Sequence, residues 1–135
     1  GNVIFEMSKM GCFSIGVEIN PYLCKIASLR LRENGLLGEV IMADINHLPL
    51  RKADVFYMYL WPSICRSILK EVMNASEEGT RIIVIDCSIP ELDLNKVDFI
   101  RVNGVIRIIC VYKCLESALN EKEDITNKTR SLGQS

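Results

Sequence analysis

The sequence has few of the groups that would announce a function. It holds a single histidine, His47. Its six cysteines form no CxxC pair, so a zinc centre is not expected and no metal is assigned. No apolar run approaches the length of a membrane span, and the longest, Val105 to Tyr112, is interrupted by Arg107. No secretory leader is read at the amino end. Charge of one sign is also missing. Sixteen Lys and Arg face seventeen Asp and Glu, for a net charge of -1, and such a chain is not expected to hold nucleic acid by bulk electrostatics.

What remains is the composition of a globular protein, 49% hydrophobic and 24% charged over 135 residues, enough for one core. Four cysteines lie in apolar stretches, which reads as small buried hydrophobes in a reducing, cytoplasmic setting. The segment from 116 to 135 is polar, charged and expected to be disordered, so the folded domain is placed at 1–115.

Periodicity sets the order of elements. Val3 to Met10 reads as a short helix with Val3, Ile4, Met7 and Met10 on one face. Ser14 to Ile19 reads as a strand, and Asn20-Pro21 is a cap-plus-proline helix start. The helix runs to about Asn34 with Leu23, Ile26, Ala27 and Leu31 as its apolar face, and Gly35 stops it. Strands follow at 39–43 and 54–59, a helix from Pro62 to about Asn74, and a strand at 80–85. Asn103-Gly104 between two apolar runs marks a closing hairpin. Helices alternating with strands imply a Rossmann-like α/β fold, mostly parallel, with a C-terminal antiparallel hairpin.

In such sheets ligands gather beyond the carboxyl ends of the strands. Three strands end in or just before an acid: Glu18, Asp44 and Asp86. Glu18 closes an apolar strand ahead of a helix start, where a carboxylate can accept from both hydroxyls of a ribose; the alternative is a cap for that helix. Asp44, on the neighbouring strand, can accept from an adenine amino group while Ile19 and Ile45 sandwich the ring; the alternative is a turn aspartate. Tyr57, Tyr59, Trp61 and Pro62 follow the third strand. An aromatic rim there suits a cationic side chain, whereas plain core packing would equally use the tyrosines. Asp86 is read either as a group orienting the acceptor or as a loop cap, and His47 as a solvated loop residue.

GVEINP at 16–21, Ala43-Asp44-Ile45 and the run HLPLRKADVFYMYL at 47–60 resemble the cofactor-binding motifs of class I S-adenosylmethionine-dependent methyltransferases. The closest resemblance is to small archaeal-type protein-lysine methyltransferases, on Tyr59-Leu60, Gly79-Thr80-Arg81 and Ile89-Pro90. The resemblance covers roughly residues 1–113. It implies S-adenosyl-L-methionine as cofactor, with Glu18 at the ribose, Asp44 at the adenine amine and Gly1 as the last glycine of the motif I loop near the methionine. It also implies an acceptor pocket shaped by Tyr59, Trp61 and Pro62, and a protein lysine as the methyl acceptor. The sequence opens within motif I, so the first strand of the family's sheet and its leading glycines are expected to be missing. Other class I methyltransferases, acting on RNA or small molecules, stay open. The [DN]PP[YF] signature of the nitrogen-directed nucleic-acid enzymes is replaced by Leu60-Trp61-Pro62-Ser63. A truncated, non-catalytic relative and a nicotinamide-dinucleotide-binding domain are the remaining readings; the closing hairpin argues against the last.

Overall fold

A computed structural model describes residues 1–115; the expected disordered tail lies outside them. The chain divides into two compact units, one spanning Gly1–Leu48 and a second from Pro49 onward.

The first unit contains α1 (Asn2–Lys9), β1 (Ser14–Glu18), α2 (Pro21–Glu33) and β2 (Gly38–Met42). β1 and β2 pair in parallel, Ser14 opposite Gly38 through Glu18 opposite Met42. Asn20 caps α2 as its sequence foretells: its Oδ1 accepts from the amides of Tyr22 at 2.9 Å and Leu23 at 3.3 Å, and Pro21 fills the first turn. The apolar faces differ from those read in the sequence. α2 buries Cys24, Ala27 and Leu31, three- and four-residue steps apart, while Leu23 and Ile26 are exposed. α1 buries Ile4 and Ser8. Met10 falls outside the helix, at its C-cap, and is exposed, as is Val3.

The second unit contains β3 (Val55–Met58), α3 (Pro62–Asn74), β4 (Arg81–Ile85), β5 (Leu94–Val102) and β6 (Val105–Lys113). Its sheet runs β3-β4-β6-β5. β3 and β4 are parallel; β6 pairs antiparallel with both β4 and β5. The hairpin expected at Asn103-Gly104 is present, with φ of 51° and 79° at the two turn residues, the positive pair that a type I′ turn needs and that Asn-Gly adopts at least cost. The core lies where β3, β4 and β6 meet α3: Met58, Ile82, Val84, Cys110 and Tyr112 from the sheet, Cys65, Ile68 and Val72 from the helix, all buried. The segment after β4 forms no helix. Its Ile89 is buried and its amide donates to the Tyr112 hydroxyl at 2.8 Å.

The α/β order read from the sequence is therefore observed, with its strands drawn up as two sheets. Among the described residues, β1 has a strand neighbour on one side only, and so has β3. No described helix is long and apolar enough to cross a membrane. All six cysteines are free, and Cys24, Cys65, Cys110 and Cys114 are buried.

Candidate functional site

Both units present chemistry at the carboxyl ends of their parallel strands. In the first, Glu18 is the last residue of β1 and Asp44 lies two residues past β2. Parallel pairing puts them at the same end of the same sheet, and the Ala43 amide donating to the Glu18 carbonyl at 3.1 Å continues the ladder to that rim. Neither acid is buried against the core.

The two carboxylates are held differently. Glu18 Oε1 accepts from the Asn20 amide at 2.9 Å, so the capping alternative is realised by one oxygen. Its Oε2 makes no hydrogen bond among the described residues and remains available to a ligand hydroxyl. Asp44 caps a 3-10 turn over Ile45–His47. Its Oδ1 accepts from the Asn46 amide at 2.9 Å and side-chain amide at 3.1 Å, and its Oδ2 lies 3.2 Å from His47 Nδ1. The Asn46 amide, foremost among these partners, holds the Asp44 carboxyl below its ordinary value. His47 is solvated, as the sequence suggests, yet tied to Asp44 across a link the sequence did not disclose. Ile19 is 66% exposed directly after Glu18, and Ile45 is half-buried directly after Asp44.

Gly1 begins the turn into α1. A Cβ at this position would come within 2.8 Å of the Ala27 Cβ, so its lack of a side chain lets α1 approach α2 closely. This accounts for glycine by packing alone.

In the second unit, Tyr57 is on β3, and Tyr59, Trp61 and Pro62 follow it. The core-packing alternative for the tyrosines is not what is seen. Tyr57, Tyr59 and Trp61 are 42%, 56% and 77% exposed. Trp61 is the N-cap of α3 without a side-chain capping bond, and its carbonyl accepts from the amides of Ile64 and Cys65 at 2.9 and 3.0 Å. Pro62 is the first residue of α3, where its missing amide hydrogen costs nothing.

Asp86 follows β4 with φ 55°, in the left-handed region. Its Oδ1 accepts from the Ile108 amide at 3.0 Å, its own amide donates to the Ile108 carbonyl at 2.8 Å, and its Oδ2 accepts from Arg107 at 2.6 Å. The Ile108 amide, ahead of Arg107, pulls the Asp86 carboxyl below its ordinary value. Of the two sequence alternatives for Asp86, the cap is realised. The guanidinium of Arg107 lies 5.7 Å from the centre of the Tyr59 ring. Partial burial, with Tyr59 and Asp86 nearby, pushes the Tyr57 phenol up, so it stays neutral and able to donate. Sequence reasoning passed over Arg107; the signal was there, since it is the only charge within the apolar run of β6.

Two open, shallow clefts lie at the other ends of the strands, one beside α2 and the start of β2, the other around Lys52–Asp54 and Glu77–Thr80. Among the described residues, no group of three or more His, Cys, Asp or Glu side chains is arranged to hold a metal ion.

No protein-family profile matches the chain, and neither does any curated protein. Solved structures do match. An RNA methyltransferase from Salinibacter ruber, in complex with S-adenosyl-L-homocysteine, superposes with a TM-score of 0.75 at 21% identity, covering 86% of this chain and 75% of that one. TrmN from Thermus thermophilus gives 0.72 at 15%, over 85% of this chain and 41% of its own. The magnesium protoporphyrin IX methyltransferase of Synechocystis, with bound SAM, gives 0.67 at 11%, over 84% and 65%. The chain thus has the Rossmann-like fold of these enzymes and spans less than two thirds of the last two.

Proposed function

We propose that the chain is a methyltransferase domain that binds S-adenosyl-L-methionine through the carboxyl rim of β1 and β2. The observation that carries this reading is the placement of Glu18 and Asp44 at the same end of a parallel pair, with one Glu18 oxygen uncommitted. Glu18 Oε2 accepts from a ribose hydroxyl. Asp44 Oδ2 accepts from the adenine amine, taking the place of the exposed His47 side chain. Ile19 and Ile45 pack the faces of the ring. The fold shared with the Salinibacter, Thermus and Synechocystis enzymes supports the same reading. When bound, the cofactor supplies an electrophilic methyl group on sulfur; the protein's task is to place an acceptor in line with it and keep water away. Four buried free thiols suit a reducing compartment such as the cytoplasm.

Tyr59, Trp61 and Pro62 serve the acceptor. A protein lysine is the acceptor that the sequence resemblance implies, and the exposed aromatic groups support it. Against it, Asp86 is committed to Ile108 and Arg107, so no free carboxylate meets an incoming ammonium there.

Calorimetry with S-adenosylhomocysteine tests the cofactor reading. The wild-type chain binds, and Glu18→Ala weakens binding by about 1–3 kcal/mol through loss of a charge-assisted hydrogen bond. An unchanged affinity in a folded Glu18→Ala variant removes Glu18 from the site.

A further inference from the structure

We propose that the outer edge of β5 pairs with β5 of a second copy of this chain, antiparallel about a two-fold axis at Val97, so that two four-stranded sheets join into one. The inference concerns the second unit alone and does not rest on the methyltransferase reading.

Three observations carry it. First, β5 is open. It is the end strand of its sheet, and among the described residues it has a strand neighbour on one side only. All nine of its residues are exposed. The amides and carbonyls along its outer side form a row ready to pair with another strand. Second, the hairpin carries more apolar surface than a solvated edge needs. Register sets Val97 opposite Cys110 and Phe99 opposite Ile108, so these side chains share the sheet face that Cys110 and Tyr112 present to the core. Yet Val97, Phe99, Ile106 and Ile108 are all exposed, Phe99 by 66%. The segment between β4 and β5 forms no helix that could cover them. A contiguous apolar patch of this kind marks a contact surface.

Third, the charges of β5 are self-complementary. On its other face Lys96 and Asp98 stand two residues apart, with Nζ and Oδ2 at 2.7 Å. Lys-x-Asp read backwards is Asp-x-Lys, so an antiparallel copy is its charge complement. With the axis at Val97, Lys96 of each copy faces Asp98 of the other. An axis one residue to either side would set Lys96 against Lys96 or Asp98 against Asp98. Opposite charges across a strand pair stabilise it, and like charges do the reverse. Charge on an edge strand ordinarily deters pairing; here it turns away strands that lack the complement and admits the chain's own. The irregularity between Leu94 and Lys96 lies at the start of β5, so Lys96, Val97 and Asp98 belong to the regular ladder. The contact is isologous, and each copy covers the other's β5 edge, which closes the assembly at two.

Sedimentation equilibrium of the full chain, over a concentration series at low salt, tests the pairing. A monomer–dimer equilibrium is expected. Lys96→Asp and Asp98→Lys, each made alone, set like charges across the axis and raise the dimer dissociation constant about tenfold. The two variants are complements of each other, so an equal mixture of them associates as the wild type does. The chain with both substitutions does the same with itself. Recovery in the mixture also shows that neither single variant lost the dimer by unfolding. A chain that stays monomeric throughout the series overturns the proposal. So does a dimer that neither single substitution weakens, which would put the interface elsewhere, and so does a mixture that fails to recover. Flotation with phosphatidylcholine vesicles separates the remaining occupant: a monomer that binds them, and ceases to with Phe99→Asp, overturns the proposal and gives the apolar patch to a lipid surface.

Discussion

The two units solve one problem, how to end a parallel strand, with opposite electrostatics. Past β1 and β2 the acids are held mainly by amide donors, with His47 Nδ1 against Asp44 Oδ2, and Glu18 keeps one oxygen uncommitted. That rim accepts hydrogen bonds. Past β3 and β4 the acid is consumed by a guanidinium and an amide, and exposed aromatic rings stand beside it. That rim presents a guanidinium and exposed rings. An acidic residue at a strand end is therefore not a function in itself; its partners decide whether it faces a ligand or supports another residue that does.

The units also differ in what holds them. The first buries Ile4, Cys24, Ala27 and Leu31 around two strands, and a two-stranded sheet has little stability of its own. The second buries Ile82, Val72 and Val84 completely. The largest effect should come from this contrast. Ile82→Ala costs about 2–5 kcal/mol by urea denaturation, the penalty for a cavity in a packed core. Ile15→Ala, on the half-exposed β1, costs less than about 1 kcal/mol. Equal losses would erase the difference between the units.

A smaller effect is local to the first unit. Asn20→Ala removes the acceptor for two α2 amides and costs about 1 kcal/mol. It also loosens the loop whose amide engages Glu18, so S-adenosylhomocysteine affinity should fall with it. Stability lost at unchanged affinity would separate the cap from the site.

The smallest effect sharpens the contrast at the second rim. The folded Asp86 carboxyl titrates below its ordinary value, so its contribution is complete above the unfolded value of about 3.9 and is lost as pH falls through the folded one. Asp86→Asn keeps the acceptor for the Ile108 amide and tolerates the positive φ. Its melting temperature should lie below that of the wild type at neutral pH, with the gap closing below about pH 4. A gap that persists in acid would mean that charge is not what Asp86 contributes.

Much of this was legible in the sequence. Asn20-Pro21, Asn103-Gly104 and the alternation of strands and helices act through local backbone chemistry, and each appears where the residues place it. The rim positions of Glu18 and Asp44 followed from strand order alone. What was hidden depended on contacts far apart in the chain. Arg107 reaches Asp86 across the pairing of β6 with β4, and neither residue's neighbours in sequence disclose it. Part of the buried face of α2 also escaped: Ala27 and Leu31 are buried as expected, but Cys24 joins them while Leu23 and Ile26 stay exposed, a choice that local periodicity does not make.

The central claim is that the rim of β1 and β2 holds a nucleoside. Amide chemical shifts of the labelled chain, followed through a titration with S-adenosylhomocysteine, test it most directly. The account predicts saturable shifts concentrated at Glu18–Asn20 and Ala43–His47. Saturation that leaves those amides unmoved, or moves only those around Tyr59 and Asp86, would contradict it.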